Sequence, residues 1–217
     1  MQATQTPFLD VKYRPGKNAR GHDGRRFVCG SLGTQSLSSI TRDFLHQSVH
    51  GDATACGRLS DLDFVNCFPT ILASLLQAAG IPCQALDDYV GWRFDHLGLV
   101  SQQQVDRYGA HWAVPEKLAK MAFIFILHGG GDYRKLSGLH AGGIPVLTQF
   151  QEEVRSASRH LFQRPEVKAL AALCEDADNS LGTFIAALCQ RIEHAALSIV
   201  ISECASCHVT MHTNMFD

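Results

Sequence analysis

The sequence predicts an α+β fold, on three observations. Two short segments, Leu59–Asn66 and Val209–Phe216, alternate apolar and polar residues, the period of a half-buried strand, and Arg26–Gly30 is a further short strand candidate. Between them run longer stretches with an apolar residue every three or four positions, the helical period. Several of these open on proline and stop at glycine, as in Pro69 to Gly80 and Pro115 to Gly129, which is the asymmetry that helix ends favour.

Residues 1–26 form a basic arm, with Lys12, Arg14, Lys17, Arg20, Arg25 and Arg26 against Asp10 and Asp23. Such an arm is either a solvated tail or a contact for phosphates. Residues 27–217 are expected to make one domain. After the strand at Arg26–Gly30, Ser36 can cap a helix to Val49 with Leu37, Ile40, Phe44 and Leu45 on one face. The alternating Leu59–Asn66 then turns into a helix from Pro69. Further helices are expected at Asp87–Leu97, Gln102–Tyr108, Pro115–His128, Pro145–Phe162 and Pro165–Cys174. A long one follows, capped by Asn179 or Ser180 and ending near Glu203. The last strand ends on Asp217.

At 217 residues the chain can bury a large core. Apolar residues make up 46%, an ordinary globular share, which argues against disorder. Lys and Arg total 19 against 21 Asp and Glu, which excludes only a uniformly basic protein. Apolar runs such as Met121–Leu127 fall far short of the ~18–20 residues of a membrane span, and the polar start Met1–Thr6 has no signal-peptide core. The expectation is therefore an intracellular protein without a membrane partner, its eight cysteines reduced. Cys67, Cys83, Cys174 and Cys189 lie among apolar residues, where a thiol packs as a small hydrophobe.

The most informative segment is Asp61-Leu-Asp-Phe-Val-Asn-Cys-Phe-Pro-Thr-Ile-Leu. A carboxylate at a strand end before a turn and helix is a common place for a metal ligand, because the turn exposes carbonyls beside it. Asp63-x-x-Asn66-x-Phe68-Pro69 resembles motif A of the palm domain of template-directed DNA polymerases, in the family B form and in polymerase-like proteins of viruses and mobile elements. Lys120, followed eight and nine residues later by His128 and Gly129, resembles the Lys-x7-Tyr-Gly of a polymerase fingers helix, with histidine where tyrosine is usual. Met211–Asp217 resembles motif C, and the long helix before it, with Glu193, is similar in order to that family. A palm would continue past Asp217, so the chain is expected to be incomplete there.

The resemblance implies a small antiparallel sheet carrying Asp63 and Asp217, helices on one face and a helical fingers insertion. It also implies nucleotidyl transfer with two Mg²⁺ ions held by Asp63 and Asp217 and helped by the Phe64 carbonyl. One ion would acidify a primer 3′-hydroxyl and the other steady the pyrophosphate. Lys120 would neutralise the triphosphate, Gly129 would let the chain pass close to the template, and Phe68 would lie beneath the sugar and reject a 2′-hydroxyl. The implied partners are a DNA primer–template and deoxynucleoside triphosphates.

Two other readings stay open. A catalytically inactive palm-like fragment could hold nucleic acid or a protein partner without turnover. Alternatively, Cys204-Ala-Ser-Cys207-His208 has the spacing of a haem attachment site, with Met211, His212 and Met215 nearby, and the same residues could serve zinc. Gly129-Gly-Gly131 before Asp132-Tyr-Arg-Lys reads either as a phosphate cradle or as a glycine-rich helix stop.

Overall fold

A computed structural model describes residues 66–175 and 177–206, together with two short strands, β1 (Tyr13–Pro15) and β2 (Arg26–Val28). The strands pair antiparallel, Tyr13 opposite Val28 and Pro15 opposite Arg26. The second falls on the expected strand at Arg26–Gly30. The chain divides into two units, residues 65–193, and residues 1–64 with 194–217.

From Asn66 to Ser206 the described residues form helices and turns with no strand, which corrects the α+β expectation: no palm-like sheet is present among them. The order is α1 (Cys67–Ala78), α2 (Gln84–Gly91), α3 (Arg93–Tyr108), α4 (Glu116–Leu127), α5 (Pro145–Phe162), α6 (Lys168–Ala172) and α7 (Ser180–Ser206), with single 3₁₀ turns at Ala110–Trp112, Tyr133–Lys135 and Pro165–Val167. The physical reason is the apolar period, which stays near 3.6 throughout this stretch, so the core assembles from helical stripes. The strands expected at 59–65 and 209–216, the helix at 36–49, and Asp63, Phe64 and Asp217 lie outside the described residues.

Proline and glycine set the helix ends as expected. Pro69 sits buried in the first turn of α1, where its missing N–H leaves no bond unmade. Past the helix, Gly80 adopts φ +68°, its N–H bonds Gln77 O, and Ile81 N–H bonds Leu76 O. Helix α4 stops in the same way at Gly129, φ +65°: Gly129 N–H reaches Ile126 O and Gly130 N–H reaches Phe125 O. Both are paired closing bonds that a left-handed residue makes available to orphan carbonyls.

One expected boundary moves. The helices at Asp87–Leu97 and Gln102–Tyr108 are replaced by a break at Gly91–Trp92 and a continuous α3 through Gly98. A helical glycine costs about 1 kcal/mol. Burying Leu97 and Val100 on either side offsets that.

Helix α5 packs against α1, α2, α3 and α4 and buries Leu147, Phe150, Val154, Ala157 and Leu161. Tyr89 from α2, Phe123 from α4 and Phe150 from α5 form one aromatic cluster. Tyr89 and Phe123 stack at 4.4 Å, and Phe150 meets both edge-on at 5.5 and 4.8 Å. Buried polar atoms then tie the connections down. Gln104, fully buried, donates to Trp112 O and Gly138 O and accepts from His140 N–H. Tyr133 Oη accepts from Ile144 N–H at 2.8 Å and lies 2.7 Å from Thr148 Oγ1.

Helix α7 is long and apolar enough, by length and composition, to cross a membrane. Its first turns bury Phe184, Ile185 and Cys189, and Gln190, Arg191, Glu193 and His194 occupy its middle, where a bilayer centre would make charge costly. It is a core helix over those first turns.

Replacing Phe150 by Ala should cost about 3–5 kcal/mol in urea denaturation, because three helices lose one filled volume. Phe94, 75% exposed, should tolerate the same change within about 0.5 kcal/mol.

Candidate functional site

The motif A segment enters the described structure at Asn66, which adopts the left-handed conformation (φ 56°, ψ 34°) that asparagine tolerates better than most residues. Its carbonyl accepts from both Thr70 N–H at 3.1 Å and Thr70 Oγ1 at 2.8 Å. That sharp entry puts Cys67 and Phe68 at the first two positions of α1 and presents the Phe68 ring to its neighbours.

The neighbour is His128. The two rings stack with centroids 4.4 Å apart and planes 28° from parallel. His128 is the last residue of the α4 end, held by its N–H to Ile124 O. Phe68, His128 and Gly129, singled out from two separate sequence motifs, are therefore brought together.

Gly129 does what glycine is needed for, though against this chain rather than a template. A Cβ on it would lie 2.7 Å from Gly182 Cα. The reciprocal Cβ on Gly182 would lie 2.1 Å from His128 O. Asn179 completes the junction: its Nδ2 donates to His128 O at 3.1 Å, and its Oδ1 accepts from Gly182 N–H at 3.1 Å, capping α7.

Lys120 stands elsewhere on α4. It is exposed, on the face with Lys117, Met121 and Ile124, opposite buried Ala119, Ala122, Phe123 and Ile126. Two helical turns separate it from His128, about 12 Å along the axis.

The Gly129–Gly131 stretch acts as the helix stop. Of the basic residues after it, Arg134 is engaged by Asp132 through two bonds of 2.7 Å, Nε to Oδ1 and Nη2 to Oδ2. That fork holds the Asp132 carboxyl below its ordinary range.

No family model, curated protein or solved structure matches the chain.

On the Cys/His reading, Cys204 sits in the last turn of α7, while Cys207 and His208 lie outside the described residues. Among the described residues, no three His, Cys, Asp or Glu side chains gather as a metal set. The buried thiols are poor thiolate sources: burial, with Glu153 and Asp87 adding to it, pushes Cys83 up to about 11, and burial also raises Cys189.

Beside this junction lies a feature that motif reading passed over. An open groove of about 320 Å³ runs between α5 and the start of α7, lined by Gly129, Arg155, Arg159, Asp178, Asn179 and Ser180 among others. Its signal in the sequence was the Arg155–Arg159 spacing, which puts two cations on one face of a helix.

Replacing Asn179 by Ala removes both a helix cap and the tie to His128, and should cost about 1–2 kcal/mol in chemical denaturation. Asn179→Asp keeps the capping acceptor and should recover roughly half of that loss.

Proposed function

We propose that the chain carries out template-directed nucleotidyl transfer on DNA, as DNA polymerases do. The observation that supports this reading is the Phe68–His128 stack. The resemblance assigned Phe68 to the floor beneath the nucleotide sugar and His128–Gly129 to the end of the helix that grips the incoming nucleotide. A working site needs those two motifs at one nucleotide, and their rings are in contact. The proposal rests on residues and their convergence, not on a sheet.

In this reading Asp63 and Asp217 are the residues that would hold two Mg²⁺ ions, whose chemistry is to acidify a primer 3′-hydroxyl and neutralise departing pyrophosphate. The chain's own groups do the rest. Lys120, exposed on α4, offers an ammonium to the triphosphate as charge builds on the leaving group. Phe68, its ring fixed by His128, leaves no space for a 2′-hydroxyl and so favours deoxynucleotides. The Phe64 carbonyl would help hold the second ion. The substrates are a primer–template and deoxynucleoside triphosphates.

The test is primer extension by the full chain with Mg²⁺ and all four deoxynucleotides. Extension is expected, and Asp63→Asn should slow it by about a thousandfold or more, since a lost ion ligand removes several kcal/mol of transition-state stabilisation. Phe68→Ala should raise ribonucleotide use by about tenfold with little change for deoxynucleotides. Extension that survives Asp63→Asn would overturn the proposal. DNA binding without any extension would leave the inactive, nucleic-acid-holding reading in its place.

A further inference from the structure

Arg155 and Arg159 differ from the other arginines that the described structure engages. Arg134 is forked onto Asp132, and Arg164 reaches Glu166 and Ala79 O. Neither the Arg155 nor the Arg159 guanidinium has a hydrogen-bond or ion-pair partner among the described residues, and both residues line the 320 Å³ groove. Each guanidinium carries five N–H donors in a planar fork suited to phosphate oxygens. One turn apart on α5, their anchor points are about 6 Å apart along the axis, a spacing that lets two neighbouring phosphates of one strand each meet a fork.

The opposite wall suits the same ligand. It holds the start of α7, where Asn179 caps the Gly182 amide and where Ser180 and Leu181, first-turn residues whose amides have no intrahelical partner, line the groove. Gly129 gives a floor without a side chain. Phe162, half-buried at the rim and edge-on to Phe184 at 5.0 Å, offers apolar contact to a sugar or base, which a free phosphate cannot use. Among the described lining residues one group opposes an anion: Asp178, which is exposed.

We infer that this groove holds the phosphodiester backbone of a single nucleic-acid strand, with Arg155 and Arg159 on successive phosphates and Asp178 limiting the affinity. The inference deepens the proposed function and rests on it for the identity of the ligand, since it names where a strand's backbone is gripped next to the Phe68–His128 pair.

The test is fluorescence anisotropy of a labelled oligothymidylate on the full chain across a KCl series. Arg155→Gln with Arg159→Gln should weaken binding by about tenfold or more and flatten the log–log salt slope by about 1 to 1.5, two phosphate contacts being lost. Asp178→Asn should tighten binding two- to threefold, about what removing one nearby like charge in solvent gives. All three side chains are exposed, so the variants should keep the parent's helical circular dichroism. Affinity and slope equal to the parent's in the double variant would overturn the inference, as would looser binding in Asp178→Asn. Displacement of the oligonucleotide by inorganic phosphate at matched phosphate concentration would assign the groove to a free anion and also overturn it. Primer extension separates the two claims: loss of strand binding in the double variant, with no extension by the parent, would overturn the polymerase reading alone. Extension by the parent with unchanged strand binding would overturn the groove alone.

Discussion

The structure of the helical unit depends on one constraint: α5 must bury an apolar stripe from Leu147 to Leu161, and no single neighbour can cover it. Four helices therefore converge on it, and the Tyr89–Phe123–Phe150 cluster marks where two of them, α2 and α4, meet α5. Aromatic rings carry much of the burial per residue, which suits a unit whose helices mostly run eight to eighteen residues. Gathering helices this way strands the backbone of the connections between them. Gln103, Gln104, Tyr108 and Tyr133 answer that need, each bonding to main-chain groups of the segment from Trp112 to Val146. A buried amide or phenol without such partners would cost about 1–3 kcal/mol, so these side chains fix the loops while they satisfy themselves.

The same arrangement explains why the candidate site forms at helix ends. Helix interiors spend their backbone groups on themselves, whereas ends leave amides and carbonyls open. The start of α1, the end of α4 and the start of α7 supply Phe68, His128 and Asn179, and the Gly129–Gly182 approach lets the last two ends come into backbone contact. The outer polar face of α5 then stands beside them, so the helix that organises the core also lends Arg155 and Arg159 to the groove.

Much of the helical layout was legible in the sequence. Pro145–Phe162 was read to the residue, because proline opens it and a clear apolar stripe runs its length. Gly80 and Gly129 marked true stops, since a left-handed residue at a helix end is almost a glycine signature. The break at Trp92 was not legible: it is carried by the backbone of Trp92 (φ −130°, ψ 43°), which nothing in its residue type announces, and the expected interruption lay instead between Leu97 and Gln102. The fold class was misread because a small sheet was expected to organise the domain, whereas from Asn66 to Ser206 the described core is assembled from helical stripes alone. Of the site, Phe68, His128 and Gly129 were found through their motifs. The Arg pair and Gly182 were not, because a groove and a close approach depend on which elements meet, and local pattern carries no such information.

The glycine contact also bears on how the sequence can change over time. A side chain at Gly129 is excluded by the Gly182 backbone, and one at Gly182 by the His128 carbonyl together with the Asn179 side chain, so neither position can drift first without main chain giving way. Gly130 is hemmed in by Phe125, with its carbonyl 2.4 Å from where a Cβ would sit, whereas Gly131 has nothing within 4 Å. Neutral variation along this run of three glycines is thereby channelled into its final position, and homologous chains that keep the junction are expected to diverge there first.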